Sequence, residues 1–322
     1  SETGLPLSVF KIREGDEAGF FEMGMNHKNE IADLAAILRP QYAAVTNIGT
    51  AHIGLLGSRQ NIAEEKRKIF TYIEKNGAAV IPASDDFADY LAENVTGKVI
   101  RYSAAANGIT DVKSCGIEGT AFDLDGTSIH LRLPGTYNFF NALAAIALTR
   151  ELGVSVAQIK TGIEKVSSLN GRSQILHFTA KNGLRLTVLQ DCYNANPDSM
   201  AKALLLCSSV SGKKILVLGD MLELGSESEK AHAGIGTLCA EKFGDGNTSF
   251  IFIGSEMKYA ADAARKNGVA NITYSAEYDK DSLKKIAADI LSKFSGDVFL
   301  LLKGSHGIGL ERISTDIQEL CK

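Results

Sequence analysis

Leu184-Arg-Leu-Thr-Val-Leu189-Gln-Asp191-Cys-Tyr-Asn-Ala-Asn196-Pro197-Asp-Ser-Met200-Ala-Lys-Ala-Leu-Leu-Leu206 is the stretch that decides how this chain reads. The apolar run Leu184 to Leu189 predicts a strand, and Met200 to Leu206 predicts a helix. Pro197 suits the first helical turn, where a missing N–H costs nothing. A carboxylate, Asp191, and two carboxamides, Asn194 and Asn196, therefore fall at a strand-to-helix turn. In α/β folds the carboxyl ends of strands are where ligands bind. The plain alternative is an Asn/Pro-rich turn with a helix cap.

Working outward, strands are predicted at Lys214-Ile-Leu-Val-Leu-Gly, Phe250-Ile-Phe-Ile-Gly and Val298-Phe-Leu-Leu-Leu-Lys-Gly. Helices are expected at 227–243, 256–267, 281–294 and 309–321. The first half alternates in the same way. Ala18-Gly-Phe-Phe-Glu-Met, Tyr42-Ala-Ala-Val-Thr-Asn and Ala78-Ala-Val-Ile read as strands, and 30–38 and 61–74 as helices. This rhythm predicts parallel sheets covered by helices. Residues 110–133 break it. Phe122 and Leu124, then Ile129, Leu131 and Leu133, alternate with polar residues on either side of Asp125-Gly126, a hairpin signal. That predicts a small antiparallel addition, followed by an apolar helix over 138–152. Polar and glycine residues at Leu169-Asn-Gly-Arg172 place a boundary there, giving α/β domains at 1–170 and 171–322.

With 322 residues the chain exceeds one ordinary core, which agrees with two domains. A net charge of −4 gives no reason to expect nucleic acid or an anionic membrane as partner. No apolar run approaches the roughly 18 residues of a membrane span. The five cysteines are dispersed, without Cys-x-x-Cys. That suggests reduced thiols in the cytosol rather than a disulfide frame or a zinc site. Cys192, beside the turn, reads as a small packed thiol before it reads as a nucleophile.

Strand ends in the first half carry a second constellation. Glu22 ends one predicted strand and Asn47 the next. His52 follows in Asn47-Ile-Gly-Thr-Ala-His. Glu22 and His52 are placed to reach one cation beside a phosphate-bearing ligand. The plain reading is a solvated carboxylate and a structural histidine.

Six segments then carry a family resemblance: Glu22-Met-Gly-Met-Asn-His, Thr46-Asn-Ile-Gly-Thr-Ala-His, Pro134-Gly-Thr-Tyr-Asn-Phe-Phe-Asn-Ala-Leu-Ala-Ala, Gly171-Arg172, Asp191 to Met200, and Leu218-Gly-Asp-Met-Leu-Glu-Leu-Gly. In this order, over nearly the whole chain, they resemble the ATP-dependent Mur ligases of bacterial peptidoglycan synthesis. The Asn-Ala-Asn-Pro form and Gly-Asp-Met-Leu-Glu-Leu-Gly resemble the branch that adds D-alanyl-D-alanine to UDP-N-acetylmuramoyl-tripeptide. The resemblance implies an ATPase-like parallel-sheet domain and a Rossmann-like C-terminal domain. It implies a cytoplasmic monomer using ATP and Mg2+ through an acyl phosphate.

By the same resemblance, Glu22 and His52 match magnesium ligands, and Lys66 matches a lysine that becomes carbamylated. The plain alternative for Lys66 is a solvated helix face, since Arg67 and Lys68 adjoin it. Asn138 and Asn141 match residues near the adenine. Arg172 matches a guanidinium reaching the ATP phosphates, and Asp191 a nucleotide contact. Asn194, Asn196, Lys303 and Ser305 are expected at the incoming dipeptide. For Lys303, a strand-end lysine paired with a neighbouring acid is the plain alternative. Two crowded anions must meet, which is why the chemistry calls for cations and metal. Proposed metal ligands and Arg172 fall in different domains, so domain closure is expected.

One feature departs from the family. Its ATP-binding loop, with N–H groups that cradle phosphates, has no match here. Gly212-Lys213-Lys214 precedes a strand, which is the wrong context. The chain is thus expected to be a fragment without the UDP-sugar domain and the first part of the ATPase domain, and inactive alone. Other readings stay open: another Mur ligase or a folylpolyglutamate synthase relative, or a non-catalytic nucleotide-binding fragment. An oxidoreductase is a further rival, because Gly304-Ser-His-Gly307-Ile-Gly309 follows a strand and opens a helix. Its glycine spacing is the reverse of a dinucleotide loop.

Overall fold

The computed structural model describes residues 2–244 and 246–321. They form two compact units. The first comprises the chain up to Lys113, with Ala121–His130 and Asn138–Glu164. The second comprises Ser114–Thr120, Leu131–Tyr137 and the chain from Lys165 onward.

The first unit runs α1 (Gly4–Val9), α2 (Glu30–Leu38), β1 (Tyr42–Ala44), α3 (Ile53–Leu56), α4 (Arg59–Arg67), β2 (Ala78–Pro82), α5 (Ala88–Ala92) and β3 (Lys98–Tyr102). Its parallel sheet has the order β1-β2-β3. β2 is buried along its whole length, as a central parallel strand must be. Ile81 of β2 shares one core with Ile31, Ile62, Ala63, Ile73 and Leu91. β4 (Ile109–Ser114), β5 (Thr120–Leu124) and β6 (Thr127–Leu131) make a separate sheet in that order. Asp125 and Gly126 both take positive φ, 49° and 79°, as a two-residue type I′ turn demands. Neighbours joined so tightly run antiparallel. α6 (Thr136–Glu151) and α7 (Val156–Lys165) follow.

Two expectations need correction in this unit. Residues 18–23 form no strand, and Phe20 is 77% exposed. The run holds Gly19, is followed by Gly24 and has no β-branched residue, so it gains little from a ladder. The helix expected over 61–74 begins earlier and ends sooner. Ser58 caps it by accepting from the Asn61 N–H at 3.1 Å. It tightens to a 3-10 turn over Lys68–Phe70, where Ile69, Phe70, Thr71, Tyr72 and Ile73 favour helix weakly.

The second unit holds a six-stranded sheet built from β7 (Gln174–Thr179), β8 (Arg185–Asp191), β9 (Lys213–Gly219), β10 (Thr248–Ile253), β11 (Ile272–Ser275) and β12 (Asp297–Lys303). Its helices are α8 (Pro197–Ser208), α9 (Ser228–Lys242), α10 (Met257–Lys266), α11 (Lys280–Lys293) and α12 (Glu311–Cys321). The strand order is β11-β10-β9-β12-β8-β7, parallel except for β7. Ile215 to Leu218 and Leu300 to Leu302 are fully buried, so β9 and β12 read as unbroken apolar runs. β12 lies between β8 and β9. Register sets Lys303 beside Asp191 on one side and Leu218 on the other. Three strands thus end together, and their loops share one edge. Gly219 and Gly304 meet there: a Cβ on Gly304 would lie 3.0 Å from the Gly219 Cα.

Candidate functional site

In the first unit the carboxyl edge of the sheet gathers the loop after β1. Tyr102 Oη donates to the Thr46 carbonyl at 2.9 Å, and Asp85 accepts from the Ile48 N–H at 2.8 Å. Arg59 donates to the Ile48 carbonyl and forms a bidentate pair with Asp86. Lys66 Nζ donates to the Asn47 carbonyl at 2.8 Å. Lys66 therefore leaves the solvated face and turns inward to the loop. Burial holds its ammonium below the usual lysine range, against the opposing pull of Asp85. A larger share of neutral amine results, which is the nucleophilic form.

His52 lies five residues beyond Asn47, in the left-handed region at φ 63°, at the start of α3. Glu22 is exposed in the irregular segment ahead of α2. No cluster of three His, Cys, Asp or Glu side chains able to hold a metal forms among the described residues. Glu22 and His52 alone are too few ligands to hold a hard cation. Asn138 is half-buried and Asn141 exposed. α6 begins at Thr136, so Asn138 lies inside the first turn and is not the cap.

The second unit brings Arg172, Asp191, Asn194 and Lys303 together. Lys303 is 1% exposed. Its Nζ lies 2.6 Å from Asp191 Oδ2 and 3.3 Å from the Asn194 carbonyl. Asp191 Oδ1 accepts from the Ser173 N–H at 3.1 Å, and Ser173 Oγ lies 2.8 Å from Tyr137 Oη. Burial pushes the Tyr137 phenol upward, so it stays protonated. Arg172 is exposed, with its Cζ 3.9 Å from the Tyr193 ring centroid.

Direct contact with a dipeptide does not suit all four residues expected there. The charge of Lys303 is already matched by Asp191. Ser305 is buried; its Oγ accepts from the Leu222 N–H at 2.9 Å and donates to the Ala195 carbonyl. It ties the loops after β8, β9 and β12 together. Asn196 caps α8, its Oδ1 accepting from the Ser199 N–H at 2.9 Å in a capping box. Asn194 alone of the four is exposed. Replacing Asn196 with Ala should cost about 1 kcal/mol, read as a melting temperature lower by ~2–4 °C. An unchanged melt would deny the cap.

Cys192 is buried, and burial pushes its thiol up to about 12; it is a packed thiol and not a nucleophile. Asp220, in Gly219-Asp-Met-Leu-Glu-Leu-Gly225, accepts from the Met257 N–H at 2.8 Å and so holds the start of α10. The glycine-rich turn after β12 folds into a 3-10 helix over His306–Ile308. Glu311 already supplies negative charge in the first turn of α12, where a dinucleotide phosphate would sit. Tyr193, Ser173 and Asp85 join these sites through tertiary contacts. Tyr193 lay in plain view inside the turn motif, whereas nothing local marks Ser173 or Asp85.

Comparison with known proteins places the chain in a family. Residues 1–149 match the Mur ligase middle domain, and residues 171–306 match the Mur ligase glutamate ligase domain. A Bacillus subtilis UDP-N-acetylmuramoyl-tripeptide--D-alanyl-D-alanine ligase is 32% identical over 98% of this chain and 67% of its own length. The chain belongs to the Mur ligase family. A Mur ligase of the same description from Treponema pallidum is 38% identical over 97% of this chain. The chain spans 66% of that relative's length. The crystal structure of MurF from Acinetobacter baumannii superposes with a TM-score of 0.85 at 27% identity, covering 98% of this chain and 68% of that one. The fold is also that of a Thermotoga maritima MurF ligase in complex with ADP, with a TM-score of 0.76 at 23% identity over 99% of this chain and 71% of that one.

Proposed function

We propose that the protein carrying this chain is an ATP-dependent amide-bond ligase. It joins D-alanyl-D-alanine to UDP-N-acetylmuramoyl-tripeptide in peptidoglycan synthesis, as a cytoplasmic monomer. The observation that carries this reading is the Asp191, Lys303 and Arg172 group at the carboxyl edge of the second sheet. It lies in a chain aligned along its length with ligases of that description. Residues 1–170 would form the ATP-binding part and 171–322 the ligase part.

The chemistry runs in two steps. The γ-phosphoryl group of ATP passes to the tripeptide carboxylate, releasing ADP. The dipeptide amine then attacks the acyl carbon, the nitrogen gives up a proton to solvent, and phosphate leaves with the bonding pair as the amide forms. Both steps crowd anions, and an exposed guanidinium, that of Arg172, suits their neutralisation. Asp191, held by Lys303 and the Ser173 N–H, would present a fixed edge to the nucleotide. Asn138 and Asn141 would lie near the adenine. Of the residues expected at the dipeptide, Asn194 would touch it, while Asn196, Lys303 and Ser305 hold the surrounding loops.

Lys66 is suited to carbamylation. Its neutral amine adds to CO2 and sheds a proton, leaving an N-carboxylate. That group would supply the missing oxygen donor beside Glu22 and His52. Magnesium held there would screen the phosphate charges. Phosphate release by the protein carrying this chain should require ATP, UDP-N-acetylmuramoyl-tripeptide and D-alanyl-D-alanine together. Equal release with a single amino acid as acceptor would move the protein to another branch of the family.

A further inference from the structure

Tyr193 is 49% exposed, yet its ring has two neighbours. The Arg172 Cζ lies 3.9 Å from the ring centroid, and the His306 ring lies 5.8 Å away at 33°. The backbone of Arg172 is held from the same turn. Tyr193 N–H donates to the Gly171 carbonyl at 3.0 Å, and Ser173 N–H donates to Asp191 Oδ1 at 3.1 Å. Both peptide groups flanking Arg172 are thus tied to residues 191 and 193. Gly171 and Ser173 take positive φ, 70° and 50°, as the chain kinks around the arginine. No described residue accepts a hydrogen bond from the guanidinium, so its N–H fork remains available to an anion.

We propose that Tyr193 is a positioning residue. Its ring holds the Arg172 guanidinium, with His306 bracing the ring, so that the fork meets its anionic partner already ordered. An arginine side chain otherwise surrenders rotamer freedom when it binds. A ring face removes part of that loss beforehand, since a guanidinium over an aromatic face is attracted by the ring quadrupole. The contact is with the face and not the hydroxyl, so phenylalanine should serve equally. The proposal rests on the phosphate-facing role given to Arg172 above.

Two measurements test it. In the chain labelled with isotopic arginine, the Arg172 side-chain signals, assigned by their loss in Arg172→Lys, should be displaced upfield by the Tyr193 ring current. Tyr193→Phe should keep that displacement and Tyr193→Leu should abolish it. In the protein carrying this chain, Tyr193→Leu should lower kcat about fivefold to tenfold, with an unchanged melting temperature, and Tyr193→Phe should stay within about twofold. Retention of the arginine displacement in Tyr193→Leu, or equal kinetic loss in the Phe and Leu variants, would overturn the proposal. A normal kcat in Tyr193→Leu would overturn it as well. If Arg172→Lys turns over normally while the ring-current result holds, the phosphate role of Arg172 fails and the stack survives.

Discussion

Replacing Lys303 with Met should destabilise the second unit by about 3 kcal/mol, the lower end of the cost of stripping one partner from a buried ion pair. The melting temperature should drop by ~6–12 °C. Lys303 closes β12 with its ammonium enclosed, 2.6 Å from Asp191. Asp191 keeps some contact with water, its side chain being 18% exposed, which is why the lower end applies. Without the ammonium, its carboxylate would retain the Ser173 N–H as a partner but no counter-charge. The paired variant Lys303→Met with Asp191→Leu should recover part of the loss, because the stranded charge is gone. Calorimetry of the two single variants and the double measures the coupling. A single variant melting with the parent would show the pair to contribute nothing to the fold. The result bears on the proposed role as well: a lysine so engaged would shape the site through Asp191 rather than bind a dipeptide carboxylate directly.

Lys66→Ala should lower turnover of the protein carrying this chain on the order of 100-fold, if its carbamate completes the metal site. Added acetate should restore part of the rate by providing a free carboxylate. A variant that turns over normally would return Lys66 to a structural role. The stability readout is separate and concerns the uncarbamylated amine, in buffer freed of CO2. Burial lowers the folded-state pKa of Lys66 beneath the ordinary 10.5. Below the lowered value both folded and unfolded chains carry the proton, and the full penalty of burying the charge is present. As pH rises through it, the folded chain sheds the proton first and stability increases, until the unfolded chain follows at 10.5. Lys66→Met should therefore flatten this rise between the lowered value and 10.5. An identical pH profile in the variant would assign the rise to other groups.

Much of the second unit was legible because its strands are continuous apolar runs. A parallel strand covered on both faces has no polar face to obscure it, so β9, β10 and β12 stood out. β7 and β11 lie at the sheet edges and are only half-buried. Their mixed sequences gave no such signal. The Asp125-Gly126 hairpin was readable from two residues, because few residues tolerate positive φ in succession. The run at 18–23 misled for the opposite reason: apolar character alone does not supply a partner strand.

The α/β alternation, the turn after β8 and the residues able to carry ionic chemistry follow from local periodicity, from caps and from residue type. Which of those residues remain available depends on long-range packing. Insertion of β12 between β8 and β9 set Lys303 against Asp191, 112 residues away in sequence. The same insertion enclosed Ser305 among three loops and left Asn194 and Arg172 outside. A charged side chain is chosen for a site by its type, but whether it faces ligand or neighbour depends on strand order. Strand order is set by which apolar runs bury one another best across the whole chain, and no short segment records it.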